Sequence, residues 1–151
     1  MMQVVKKILL LLCGAMMGGS AMAQQATKPQ ARPTLYIFSA QWCAPCQRMH
    51  KEALDDSEVR VMLQHMEYYL VDLDLTKDGK VLYRKHARSG GVPELVLYDG
   101  EGKLIARQAG YETAEGMIKF MRQAFSAKEL EEIARQKALH ELRYVDFEDN
   151  E

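Results

Sequence analysis

Two cysteines separated by two residues, in the run Trp42-Cys43-Ala44-Pro45-Cys46, are the part of this chain best suited to chemistry. That spacing lets the sulfurs close a small disulfide ring and open it again as a dithiol. Cys43 falls where a strand-like run gives way to a helical pattern, so it should occupy a helix N-terminus. Free N–H groups and the helix dipole there favour negative charge. Negative charge at sulfur is the thiolate, the nucleophilic form. Ala44 and Pro45 open the helix, and Pro45 presets the backbone where its missing N–H costs little. Cys43 is therefore expected to be the exposed attacking thiol. Cys46, one turn inside, is the buried thiol that resolves a mixed disulfide. No metal is expected, since zinc usually takes four ligands and there is no second C-x-x-C. A purely structural bridge is a poor reading, because so short a loop removes little chain entropy.

The elements that must position this pair follow from hydrophobic periodicity. Residues 34–40 (TLYIFSA) are β-branched, aromatic and apolar and read as a buried strand. A helix runs from 44 to about 55, with Met49, Ala53 and Leu54 on one face. Ser57 is placed to cap a second short helix over 58–65 that turns Val59, Met62 and Leu63 inward. Residues 67–75 (EYYLVDLDL) alternate and read as a second strand. Residues 80–87 form a helix burying Val81, Leu82 and His86, stopped by Gly90-Gly91. Strands over 94–98 and 103–108 flank Asp99-Gly100-Glu101-Gly102, a hairpin signal. An amphipathic helix covers 113–125 through Met117, Ile118, Phe120, Met121 and Phe125. Residues 126 to about 142 continue as a charged helix with a narrow stripe of Leu130, Ile133, Ala134, Lys137 and Leu142. An acidic tail from Asp146 should fray. The order is β-α-α-β-α-β-β-α, an α/β class. Its first two strands are parallel across helical crossovers, and its last two form an antiparallel hairpin.

The chain has 151 residues, 20 Lys+Arg against 21 Asp+Glu, and three cysteines. Its near-neutral charge argues against a nucleic-acid partner, which needs a basic surface. An odd cysteine count would leave an unpaired thiol in an exported protein. The N-terminus resolves it. Lys6 and Lys7 precede about ten apolar residues, too few to span a bilayer, and Ala21-Met22-Ala23 supplies a small-x-small cleavage pattern. Residues 1–23 are thus expected to be a secretory signal peptide, and their removal takes Cys13 away. Residues 24–33, with Pro29 and Pro33, read as a flexible lead-in. Residues 34–125 form the domain, and 126–151 a C-terminal helical extension.

Tyr36 to Cys46 (YIFSAQWCAPC), with Gly91-Val92-Pro93 about fifty residues later and a hairpin after it, resembles the thioredoxin superfamily. It is most similar to secreted thioredoxin-like domains related to the C-terminal domain of the transmembrane thiol–disulfide interchange protein. The shared features are W-C-x-x-C, the L-D-D-S-E-V region and G-V-P…L-Y-D-G-E-G-K. The resemblance implies a thioredoxin fold, with a central mixed sheet of about four strands in the order 2-1-3-4 flanked by helices, plus the extra C-terminal helix. It implies a cis Pro93 facing the cysteines, with the Val92 backbone pairing an extended substrate chain. Many members carry a buried acid where this chain has Ile37. Candidate replacements in proton transfer are His50, a turn after Cys46, and Glu94, directly after Pro93; each could instead be a solvated residue. Glutamate at the latter position resembles the cytochrome c maturation branch. A carboxylate near Cys43 would raise the thiol pKa. Trp42 is expected to pack beside the pair and shield the disulfide, or to act as a structural aromatic. Asp72 and Asp74 share a strand face but lack a matching histidine, so they read as solvent-facing.

The expected activity is that of an exported, periplasmic thiol–disulfide oxidoreductase that reduces or exchanges disulfides of proteins. Cytochrome c maturation, or an oxidase or isomerase direction, are alternatives within the same chemistry. A non-catalytic thioredoxin-fold binding module is the alternative of another class, and two intact cysteines count against it. No cofactor is implied beyond the Cys43–Cys46 disulfide itself. Partners are thiol or disulfide proteins and, from the oxidising compartment, a membrane thiol reductase as electron donor. The domain is expected to be a monomer.

Overall fold

A computed structural model describes residues 31–148, with side chains described to Leu139. The expected signal peptide, Cys13 and most of the lead-in lie outside the described residues. Ten elements follow in order. They are β1 (Thr34–Ser39), α1 (Ala44–Met49) running on as a π-helical segment (His50–Leu54), α2 (Ser57–Gln64), β2 (Glu67–Asp72) and α3 (Gly79–His86). After these come β3 (Glu94–Tyr98), β4 (Leu104–Ala109), α4 (Ala114–Arg122) and α5 (Ala127–Glu148). The sheet order is β2-β1-β3-β4, with β1 parallel to β2 and antiparallel to β3. β3 and β4 form the antiparallel hairpin. This is the expected thioredoxin-like architecture.

Strand alternation makes two cores. Leu35, Ile37, Leu95 and Leu97 face one side, where Met49, Ala53, Val59, Met62, Met117 and Met121 cover them. Phe38, Val71 and Val96 face the other, under α3 and Ala87. There the Tyr36 ring lies between Tyr69 and His86, at centroid distances of 5.0 and 4.3 Å. β1 is central, with Leu35, Ile37, Phe38 and Ser39 buried and Thr34 and Tyr36 half-buried, as a mostly apolar run predicts for a strand covered on both faces.

Several expected boundaries move, each for a local reason. The cap of α2 is Asp56, not Ser57: its carboxylate accepts from the N–H groups of Glu58 and Val59 at 2.8 and 3.1 Å. β2 ends at Asp72 rather than Leu75. The Asp72 side chain accepts from the N–H groups of Asp74 and Leu75 and turns the chain out of the sheet. α3 stops at His86, where Ala87 goes extended, so Gly90-Gly91 lies beyond the helix end. Val81, expected inside, is exposed, and Leu82 carries the inward contact. α4 is capped by Thr113, whose hydroxyl accepts from Gly116 N–H. In α5, Ile133 is buried and Leu130 packs beside it, while Ala134 is exposed. The helix continues to Glu148 through the stretch expected to fray, and Leu142 lies beyond the described side chains.

Candidate active site

β1 ends at Ser39, and the next four residues carry the chain over the sheet edge into α1. Cys43 is the N-cap of that helix. Its Sγ accepts from the backbone N–H of Cys46 at 3.2 Å, in the position where a Ser or Asp oxygen ordinarily caps. The two sulfurs are bonded as a disulfide, with the Cα atoms 5.2 Å apart. Helix start and sulfur pair therefore coincide as the spacing predicts. The donor that caps the helix is also one that would stabilise a Cys43 thiolate.

Burial of the pair departs from expectation. Cys46 is 1% exposed, as predicted, but Cys43 is only 4% exposed. Ala40, Leu73 and Val92 form one apolar cluster with the two cysteines. The Val92 carbonyl oxygen stands 3.4 Å from Cys43 Sγ and helps cover it in this oxidised state. Trp42 is not a packed structural aromatic. It is 71% exposed and projects from the turn before α1. Ala44 and Pro45 are exposed at the first turn of that helix.

The peptide bond Val92–Pro93 is cis, and Pro93 is buried beside the start of β3. What holds this loop was not foreseen. Glu94 is 1% exposed, and its carboxyl oxygens accept from Arg88 N–H at 2.8 Å, Ser89 N–H at 3.0 Å and the Ser89 hydroxyl at 2.5 Å. The Tyr83 hydroxyl donates to the Gly91 carbonyl at 2.9 Å, and the Ser89 hydroxyl oxygen lies 3.0 Å from the same carbonyl. Glu94 is thus occupied with the 88–91 loop. No hydrogen bond joins it to either cysteine among the described residues. The role the sequence suggested for it in proton transfer finds no support in this geometry. Ser89 and Tyr83, which hold the 88–91 loop, and Leu73, which packs with the cysteines, were missed, since only the tertiary fold brings them together.

His50 follows Cys46 by four residues at the start of the π-helical segment. Its Nε2 is buried and has no hydrogen-bond partner. On the far side of the same helix, Glu52 accepts from the Tyr111 hydroxyl at 2.6 Å, and the Arg48 guanidinium lies 4.4 Å over the Tyr111 ring. The bond to Glu52 raises the tyrosine pKa. Asp72 and Asp74, weighed as metal ligands, form a turn instead. No group of three or more His, Cys, Asp or Glu is placed to hold a metal ion among the described residues.

Similarity to known proteins follows the same features. Residues 20–125 match the thioredoxin-like domain family. The thiol:disulfide interchange protein DsbD of Ralstonia nicotianae is 29% identical over 106 residues, 68% of this chain but 17% of that protein. The oxidised C-terminal domain of Neisseria meningitidis DsbD has a TM-score of 0.52 at 21% identity, covering 62% of this chain and 81% of that one. A thioredoxin-fold protein from Helicobacter pylori has a TM-score of 0.57 at 20% identity, covering 78% and 86%. At these identities the solved structures speak to the fold.

Proposed function

Because this chain belongs to the thioredoxin-like domain family, we propose that it is an exported thiol–disulfide oxidoreductase that reduces or exchanges disulfides of periplasmic proteins. The observation that carries the reading is one arrangement: the Cys43–Cys46 disulfide at the start of α1, facing the Val92 carbonyl beside a cis proline. A redox role for such a pair agrees with its DsbD relative.

In the reducing direction, the Cys43 thiolate attacks one sulfur of a target disulfide. A Cys43–substrate disulfide forms, and the other substrate sulfur leaves as a thiolate that takes a proton. Cys46 then gives up its own proton and attacks Cys43 Sγ. The second substrate thiolate is expelled and protonated. Two electrons have passed from the dithiol to the substrate, and the protein is left in the disulfide form. The Cys46 N–H at Cys43 Sγ favours the thiolate before attack. The extended backbone at Val92 offers main-chain groups to an incoming substrate strand, which recognises chain rather than sequence. Re-reduction falls to a membrane thiol reductase, since an oxidising compartment supplies no soluble dithiol pool.

Insulin-disulfide reduction by the purified chain, compared with Cys43→Ser, tests the reading. Turnover should vanish in the variant, while Cys46→Ser should accumulate a mixed disulfide visible by mass spectrometry. Equal turnover in parent and Cys43→Ser overturns the assignment. A strongly oxidising potential for the pair would reverse the proposed direction.

A further inference from the structure

The resolving step needs a group that takes the proton of the Cys46 thiol. Cys46 is 1% exposed, so its thiol proton cannot pass straight to bulk water. The apolar cluster that holds both cysteines is made with Ala40, Leu73 and Val92, whose side chains cannot accept a proton. Glu94 is committed to Arg88 and Ser89.

His50 is the titratable group with both reach and capacity. It lies four residues after Cys46, and its backbone N–H bonds to the carbonyls of Cys46 and Gln47. Side chains four apart on a helix stand about 5–6 Å apart at Cβ, within reach of an imidazole or one water. Its Nε2 is the buried side-chain atom without a partner among the described residues. Buried polar atoms are nearly always paired; one left open suits a partner that comes and goes. His50, half-buried as a residue although its Nε2 is fully buried, also lines a cavity of about 700 Å³ that opens to solvent between α1, α2 and β2. The cavity lining is mixed polar and apolar, and the space is roomy enough for water. The charged and phenolic residues sharing this cavity are Lys51 from the same segment, Asp55 at its end, Arg60 from α2 and Tyr68 from β2, while β1 contributes only Ile37. Arg60 is paired with Asp55 at 2.6 Å.

We propose that His50 Nε2 accepts the Cys46 thiol proton during resolution and passes it to solvent through this cavity. The inference rests on the dithiol reading above. The S–H bond of Cys46 breaks and an N–H bond forms at Nε2, directly or across one water. The Cys46 thiolate then attacks Cys43 Sγ, the bond from Cys43 to the substrate sulfur breaks, and that sulfur leaves as a thiolate that solvent protonates. No electrons pass through His50. In re-reduction the proton returns by the same route.

The test uses the full chain carrying Cys13→Ser, reduced and mixed rapidly with dithiobisnitrobenzoate. The first thionitrobenzoate reports attack by Cys43, and the second reports resolution by Cys46. Absence of the two-step release in this parent would overturn the dithiol reading itself. With that release present, His50→Gln should slow the second phase by about tenfold or more while leaving the first within about twofold. In His50→Ala, added imidazole should restore the second phase, because the cavity admits it. A second phase unchanged in His50→Gln overturns the proposal. So does a slowing shared equally by both phases, or one that imidazole does not restore.

Discussion

Glu94 shows how a single buried carboxyl can serve a redox site without touching it. Its oxygens collect two backbone N–H groups and a hydroxyl from 88–89, and that loop delivers Val92 to within 3.4 Å of Cys43 Sγ. Hydrogen bonds to a charged group contribute about 1.5–3 kcal/mol, and leaving donors buried without a partner costs a similar amount. Glu94→Gln should therefore lower stability by roughly 2 kcal/mol, and Glu94→Ala by more; urea unfolding of both measures it. Stability unchanged in both variants would mean that the 88–91 loop holds itself. Residue identity alone pointed to Glu94 as a proton carrier, because its place after Pro93 was legible while the direction of its side chain was not. Trp42 is the reverse case: its neighbours suggested a packed ring, but the turn before α1 leaves it in solvent.

The elements that frame the site are joined by close backbone approaches. Where β2 ends, Asp72 turns the chain, and α3 begins against that turn. A Cβ placed on Gly79 would lie 2.7 Å from the Asp72 carbonyl oxygen and 3.3 Å from Leu73 Cα. Both obstacles are backbone, so neither can swing aside. Gly79→Ala should destabilise the protein by about 1–3 kcal/mol, opposite to the gain this substitution commonly gives in an exposed helix. Thermal unfolding decides the sign. Leu73, which packs on the cysteines, sits in the same connection, so the turnover of the variant should fall with its stability. Periodicity located β2 and α3 but missed this contact by placing the strand end three residues late. An Asx-type cap, rather than loss of the apolar pattern, ends the strand.

At the scale of the molecule, two histidines on different cores link stability to pH. Burial is the main cause holding His65 below the ordinary imidazole range of 6.5, with Arg32 adding to it. Burial likewise lowers His86, helped by Lys85, Arg107 and Arg88. The folded state then binds fewer protons than the unfolded chain just below the ordinary value. Stability falls as pH drops through that window and is recovered above it. Denaturant unfolding between roughly pH 7.5 and pH 5 should show this acid limb. His86→Phe keeps the stack on Tyr36 and should flatten part of the limb, leaving the share of His65. An unaltered slope in that variant would assign the limb elsewhere. No helix among the described residues is long and apolar enough to cross a membrane.

The order of elements, the two-faced central strand, the Cys43–Cys46 pair at a helix start and the position of Pro93 were all determined by the sequence. Each depends on neighbours a few residues away: alternation, helical spacing, caps and turn formers. Burial of Cys43, the clamp of Glu94 on 88–89, the exposure of Trp42 and the open cavity beside His50 were decided by the tertiary structure alone. Those features depend on which loop from a distant part of the chain closes on the sulfurs. Sequence distance carries no record of that until the sheet order β2-β1-β3-β4 brings the two ends together.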